Sequence, residues 1–296
     1  MPSLIQEYGM NKEKEVKTSQ FADLWRRLKR NRAAVVGGVI VLLFVSVALL
    51  APILSPYNPN EGDLVKRLKP PSREHLLGTD SLGRDLLSRV IFGARISLQI
   101  QIVSVVIALV IGTALGMMGG YYGGKFDHVI MRLMDILLAF PGIFLAISII
   151  AVLGTGLLNL MLAAGIYSVP QFARIVRGSV LSLKEKEFIE AARAVGESDF
   201  NILFRYLLPN SMAPIIIQTT LRMATVLLTA SGLSFLGLGV QPPTAEWGAM
   251  LSNARAYLIT APHVATVPGL AIMLVVMGFN LFGDGLRDSL DPRLRD

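Results

Sequence analysis

An all-α integral membrane protein with six transmembrane helices is the fold class this sequence predicts. Three observations carry that prediction. Of the 296 residues, 53% are hydrophobic and only 17% charged, with a mean hydropathy of +0.57, an apolar excess beyond what one soluble core of this length needs. The apolar residues gather into runs long enough to cross a bilayer, and the basic residues separate those runs instead of forming one polar domain. The net charge of +7 therefore reads as a set of orientation signals, and nucleic acid is not an expected partner. The chain has no cysteine, which excludes a disulfide framework and a thiolate metal site. His75, His128 and His263 fall in separate segments without ligand spacing, so no built-in metal site is expected.

A bilayer core about 30 Å thick takes about 20 apolar residues of helix. Residues 33–54 meet this, and 96–120 form a second uncharged stretch with Gln99 and Gln101 near its start. Its small residues Gly112, Ala114 and Gly116 suit close helix packing. A third span covers 136–153, starting near Val129. Gly154-Thr155-Gly156 turns the chain into a fourth, from about 157 to 172, and Pro141 and Pro170 are placed to kink these two helices. Residues 212–238, carrying Arg222, and 264–281 make the fifth and sixth. With the N-terminus inside, 19 lysines and arginines fall on the inner side against 8 outside, so both termini are expected in the cytoplasm of a cell-membrane protein.

The 32 mostly polar residues before the first span do not read as a signal peptide. Phe21, Leu24, Trp25 and Leu28 stand at i, i+3, i+4 and i+7 with Arg26, Arg27, Lys29 and Arg30 between them. The pattern fits an interfacial helix on anionic lipid, or an amphipathic helix docked on protein. The chain thus divides into a cytoplasmic N-terminus (1–32), a first span with an external segment (33–95), a five-helix core (94–286) and a cytoplasmic tail (287–296). Within the core lies a cytoplasmic loop at 179–211.

That loop is the most informative stretch. Ser182 with Glu185 has capping-box spacing for a first helix, and Gly196 is placed to end it in a left-handed cap. Phe188, Ala191, Ala192 and Val195 then share a face, ringed by Lys186, Glu190 and Arg193. Ser198 can cap a second helix that Pro209 ends. Two readings stand on these residues alone: a docking knuckle whose alanines admit a partner's backbone, and a charged connector between two spans.

Glu190-Ala191-Ala192, then Gly196, then Tyr206-x-Leu208-Pro209 resembles the EAA loop of bacterial binding-protein-dependent ABC importer permeases, with Tyr206 where the family usually has isoleucine. Residues 75–89 (HLLGTDSLGRDLLSR) and 93–98 (GARISL) are similar to the segment before the core of C-type peptide permeases. Residues 234–239 (SFLGLG), 241–243 (QPP) and 246–250 (EWGAM) are similar to their last external region, and Asp288-x-x-Asp291-Pro-Arg293 to their ending. The resemblance covers nearly everything after about residue 20 and points to the dipeptide, oligopeptide and nickel group. It implies a type I ABC importer permease fold and a heterodimer with a second, B-type permease. It also implies two cytoplasmic ATPase subunits that hold ATP and magnesium, and an external solute-binding protein. Glu190, Ala191, Ala192, Gly196, Tyr206, Leu208 and Pro209 would form the ATPase-coupling loop. Di- or oligopeptide is the expected cargo, with nickel, glutathione and oligosaccharide as alternatives.

Other motifs fail on their chemistry. Gly119-Gly-Tyr-Tyr-Gly-Gly124-Lys125 nearly spells a phosphate loop, but Phe126 replaces the magnesium-holding hydroxyl. It reads as a glycine turn, and no cofactor is expected on this chain. Gly232-Leu-Ser234-Phe-Leu236, with His263 downstream, suggests an intramembrane protease until Leu236 is seen in place of the second glycine. A free-standing secondary transporter would need an ion relay inside the membrane, and only Arg222 lies well inside a span, with Asp127, Arg132 and Asp135 expected in surface pairs. Arg222 is thus a candidate for the pathway or for a subunit contact, with Gln99, Gln101 and Ser234 as weaker candidates.

Overall fold

The computed structural model describes residues 25–290, so Phe21 and Leu24 of the amphipathic stretch and Asp291 and Arg293 of the ending lie outside the described residues. Residues 25–30 are helical, with Lys29 stacked over the Trp25 ring at 4.9 Å.

The described chain is helical, with only isolated bridges in its external segment. Helix α1 (Arg32–Leu49) begins on an Asn31 side chain that accepts from the Ala34 N–H. It stops at Leu50, short of the expected 54, because Pro52 starts a separate turn at Ala51–Leu54. Helix α2 (Leu86–Tyr122) is 37 residues long and starts a full ten residues before the expected span, capped by the Asp85 carboxylate on the Ser88 N–H. Helices α3 (Gly124–Ala139) and α4 (Gly142–Leu153) cover the expected third span and are bent by 95° at Phe140 and Pro141. Pro141 forces its predecessor out of the helical region, and Phe140 is accordingly extended at ψ 133°. Helix α5 (Leu157–Leu183) carries Pro170 without interruption, α6 (Glu187–Ala194) is the short helix of the expected loop, and α7 (Met212–Phe235) is the fifth expected span. Helix α8 (Trp247–Ala254) then precedes α9 (His263–Leu290).

Among the described residues, four helices (α1, α2, α7 and α9) are long and apolar enough to cross a membrane, or five if the bent pair α3 and α4 is one span. The count of six expected apolar spans is reached only by adding α5, which is long enough at 27 residues but carries Gln171, Arg174 and Arg177. This helix packs in the middle of the bundle, where protein rather than lipid covers much of it, so it needs less apolar sequence.

The α2–α5 contact explains the small residues. Gly112, Gly116 and Gly120 lie at i, i+4 and i+8 against Phe172, Ala173 and Val176, and Val180 of α5. A Cβ added at Gly112 would sit 2.5 Å from the Phe172 Cβ, so a methyl group there would push the helices apart. Ala114, grouped with these glycines by sequence, does not share their role. It is exposed and lines an apolar groove of about 620 Å³ on the far side of α2.

Candidate functional site

The cytoplasmic loop begins later than its capping pattern suggests. Helix α5 continues through Ser182, whose hydroxyl donates back to the Ser179 carbonyl, so Ser182 and Glu185 do not form a capping box. The apolar residues Val180 and Leu183 bury against the cytoplasmic core and hold the helix for one more turn. Lys186 is the N-cap of α6, without a side-chain bond, and Glu187 and Glu190 in the first turn and Arg193 in the last complement the helix dipole. The end of α6 is a Schellman motif: Gly196 sits at φ +82°, its N–H donates to the Arg193 carbonyl and the Glu197 N–H donates to Ala192. No atom lies within 4 Å of where a Gly196 Cβ would be, so glycine is required there by backbone conformation alone.

Ser198 caps the next turn by accepting from the Asn201 N–H at 3.3 Å. The chain then widens into a π-helix at Ile202–Leu207 and passes through Leu208–Asn210 before breaking at Ser211. Pro209 therefore does not end this helix. It lacks the N–H that an α-helical register would use, and widening the preceding turn accommodates its ring.

The knuckle is bolted to the membrane helices through one face. Ile189 and Ala192 of α6 are buried with Ile202, Leu203 and Leu207 against Met117 and Tyr121 of α2 and Val176 and Val180 of α5. The Tyr121 hydroxyl donates to Asp199 at 2.6 Å, and Arg193 stacks on the same ring at 5.3 Å. The face expected to be shared by Phe188, Ala191, Ala192 and Val195 splits accordingly: Ala192 turns inward, while Glu190, Ala191, Val195 and Phe188 face out. Phe200 and Phe204 extend this outward surface, stacked at 4.5 Å. Tyr206 is half-buried with its hydroxyl 3.4 Å from Glu197, Leu208 is half-buried and Pro209 exposed.

Residues outside the loop complete its support. Asp127 was expected on the surface, yet it is buried and takes both Nε (2.6 Å) and Nη2 (2.5 Å) of Arg177 in a bidentate pair between α3 and α5. The interhelical packing leaves the carboxylate little access to water, and the fork geometry of arginine compensates. Lys184 donates to the Gly120 carbonyl at 3.3 Å. The expected glycine turn is confined to Gly123 and Gly124, at φ +66° and +57°, while Tyr121 and Tyr122 remain helical. The pairing of Tyr121 with Asp199 was not read from sequence, although a tyrosine pair at the end of a span, facing a capping loop, is a usable signal.

The candidate residues within the spans separate. Gln99 is exposed, whereas Gln101 is fully buried and its amide donates to the Met223 carbonyl at 2.6 Å, fastening α2 to α7. Arg222 is half-buried and interacts electrostatically with Tyr167 of α5. Ser234 is buried beside Gly239 and Gly248, while the His263 ring lies against Gly78, so these two residues do not form a catalytic pair.

At the opposite end of the bundle from the loop a second polar assembly is buried. Asp80 pairs with Arg84 at 2.7 Å and Arg89 at 3.4 Å, and His75 Nδ1 lies 2.9 Å from Asp85. Glu246 caps α8 by accepting from the Gly248 and Ala249 N–H groups at 2.9 and 2.8 Å. Burial pushes its carboxyl above the usual range, and these backbone donors pull it partly back. Arg89 and Trp247 tie the two stretches together by donating to the Pro243 and Val90 carbonyls.

Residues 112–296 match the family described as binding-protein-dependent transport system inner membrane component. Residues 19–71 match the N-terminal TM domain of oligopeptide transport permease C. The chain is 49% identical over 285 residues to the glutathione transport system permease protein GsiD of Pectobacterium atrosepticum, covering 96% of this chain and 94% of that one. The corresponding protein of Escherichia coli O6:K15:H31 is 50% identical over 274 residues, 92% and 90% of the two chains. Among solved structures, an inward-facing MetNI methionine ABC transporter chain is similar with a TM-score of 0.58 at 19% identity, over 70% of this chain and 98% of that one. An amino acid ABC transporter chain gives 0.53 at 14% identity, over 69% and 95%. Spans, cytoplasmic knuckle and sequence kinship agree: the chain belongs to the binding-protein-dependent transport system inner membrane components, as a C-type, multi-pass permease subunit of an ABC importer of the peptide group.

Proposed function

We propose that the knuckle formed by α6 and the turn through Gly196 is the element through which ATPase subunits drive this permease. The observation that carries this reading is the division of α6 into two faces. Ile189 and Ala192 are locked into the helix ends, while Glu190, Ala191, Val195 and Phe188 are presented outward without a covering element. A push on the outer face is transmitted to α2 and α5 as a rigid body, because the inner face is packed into both. Gly196, Tyr206, Leu208 and Pro209 hold the shape of the knuckle and do not touch the partner first.

In the assembled importer this chain pairs with a B-type permease above two ATPase subunits that carry ATP and magnesium, with both termini cytoplasmic. A loaded binding protein docks on the external side, ATP closes the ATPase pair, α6 moves, and the solute passes between the two permeases. The pathway face includes Arg222. The solute class is peptide, with glutathione favoured among peptides because relatives about half identical in sequence carry that name.

Ala191→Arg in the complete importer tests the coupling. The expected result is a complex that assembles and hydrolyses ATP at its basal rate while ATPase stimulation by the loaded binding protein and solute uptake fall at least tenfold. Unchanged uptake would overturn the reading. Uptake of labelled glutathione, a dipeptide and nickel by the wild-type importer decides the cargo, and nickel uptake without peptide uptake would reverse that choice.

A further inference from the structure

Helix α7 is mostly apolar, but one uncovered stripe of it is polar. Gln218, Arg222, Thr225 and Thr229 recur at steps of four, three and four residues, which places them on one side of the helix. None of the four is buried, and Thr225 is exposed. Arg222 lies about 15 Å along a helix about 36 Å long, so its charge is near the middle of the span. Its electrostatic neighbour is Tyr167 on α5. The Tyr167 ring is itself fixed, lying so close over Gly142, just past the 95° break, that any side chain there would collide with it. One turn further along α5, the Gln171 carbonyl oxygen is buried with no partner.

Two other arginines that reach between helices are ion-paired, Arg177 with Asp127 and Arg174 with Asp135, as Arg84 and Arg89 are with Asp80. Arg222 has no carboxylate partner among the described residues. A guanidinium held at mid-membrane by a neutral phenol retains its full demand for an anion. The polar stripe around it suits water and solute, not a packed helix. We infer that Arg222 is a transient anion site of the translocation path, with the carboxylate of the passing solute as its counter-ion and Tyr167 as the positioning group. This rests on the pathway reading above and adds the solute chemistry: a permease that favours carboxylate-bearing over neutral cargo at the midpoint of the path.

Because the chain contains no cysteine, Thr225→Cys gives it a single thiol one helical turn from the arginine. In the complete importer, nucleotide-free and ATP-trapped, the thiol is reacted with the anionic sulfonatoethyl and the cationic trimethylammonioethyl methanethiosulfonates. Labelling is read as a mass shift on this chain. The anionic-to-cationic rate ratio, relative to a free thiol, is expected to be raised about tenfold in at least one state. It should return to the free-thiol value with Arg222→Gln and persist with Arg222→Lys. A ratio untouched by Arg222→Gln would overturn the inference, because an acid of the partner permease would then already neutralise the charge. A thiol that reacts with neither reagent in either state would also overturn it, since that face would be covered. The reagents are not cargo, so a wrong peptide assignment would leave this result unaffected and would appear only in uptake.

Discussion

The two ends of this permease are built on opposite plans. At the external end, residues 57–89 and 243–250 bury their polar groups in closed pairs: Asp80 with two arginines, His75 with Asp85, and Glu246 with the N-terminus of α8. At the cytoplasmic end the knuckle buries an apolar face and leaves aromatic and aliphatic side chains outside, with Val195 79% and Phe200 67% exposed. Both regions expose apolar side chains, Leu64, Val65 and Leu76 at the first and Val195 and Phe200 at the second. The first, however, buries charged groups in pairs where the second buries an apolar face. Stability should therefore lean on the ion pairs of the first and coupling on the outer face of the second, and mutations at the two ends should separate these quantities.

The largest expected effect is at Asp80. Asp80→Ala leaves Arg84 and Arg89 buried without their counter-charge, a loss of about 3–5 kcal/mol, read as a fall in the thermal unfolding midpoint of the purified complex. Retention of the wild-type midpoint would mean that the external pairs are not what holds that segment. Next is Ile189→Ala, which removes a fully buried side chain where α6 meets α2 and α5. About 2–4 kcal/mol of local stability should be lost, seen as faster hydrogen exchange confined to residues 184–211, together with loss of coupled ATPase.

Gly196→Val is expected to cost less, about 1–2 kcal/mol, because only the left-handed backbone opposes it and no atom crowds the site. Increased proteolysis of the loop with an intact membrane domain would fit this, and a global drop in stability would not. The smallest stability change is expected for Val195→Ser, within about 0.5 kcal/mol for so exposed a position. Its uptake should nevertheless fall several-fold, and if uptake and stability both stay at wild-type values, the contrast between the two ends loses its functional half.

Much of this architecture could be read from local pattern. The Gly196 cap, the Ser198 cap, the break at Pro141 and the position of the knuckle all follow from interactions within a few residues. Two of the errors required knowing what lies across the bundle. Ser182 looked like a cap because its partner spacing was correct, but the burial of Val180 and Leu183 extends the helix past it. Asp127 looked like a surface residue because Arg177, its partner, is 50 positions away.

What the sequence determined by itself was the solvent and the local geometry: apolar length set the chain in a bilayer, and caps, glycines and prolines set where helices stop and bend. Only the tertiary structure decided which face of each helix does what. In a membrane the lipid-facing side is as apolar as the packed side, so periodicity does not separate Gly112, which meets α5, from Ala114, which lines an open groove. The same limit applies to Ala191 and Ala192, adjacent and identical, one outward and one buried. It applies equally to Arg222, whose neighbour Tyr167 no local pattern indicates.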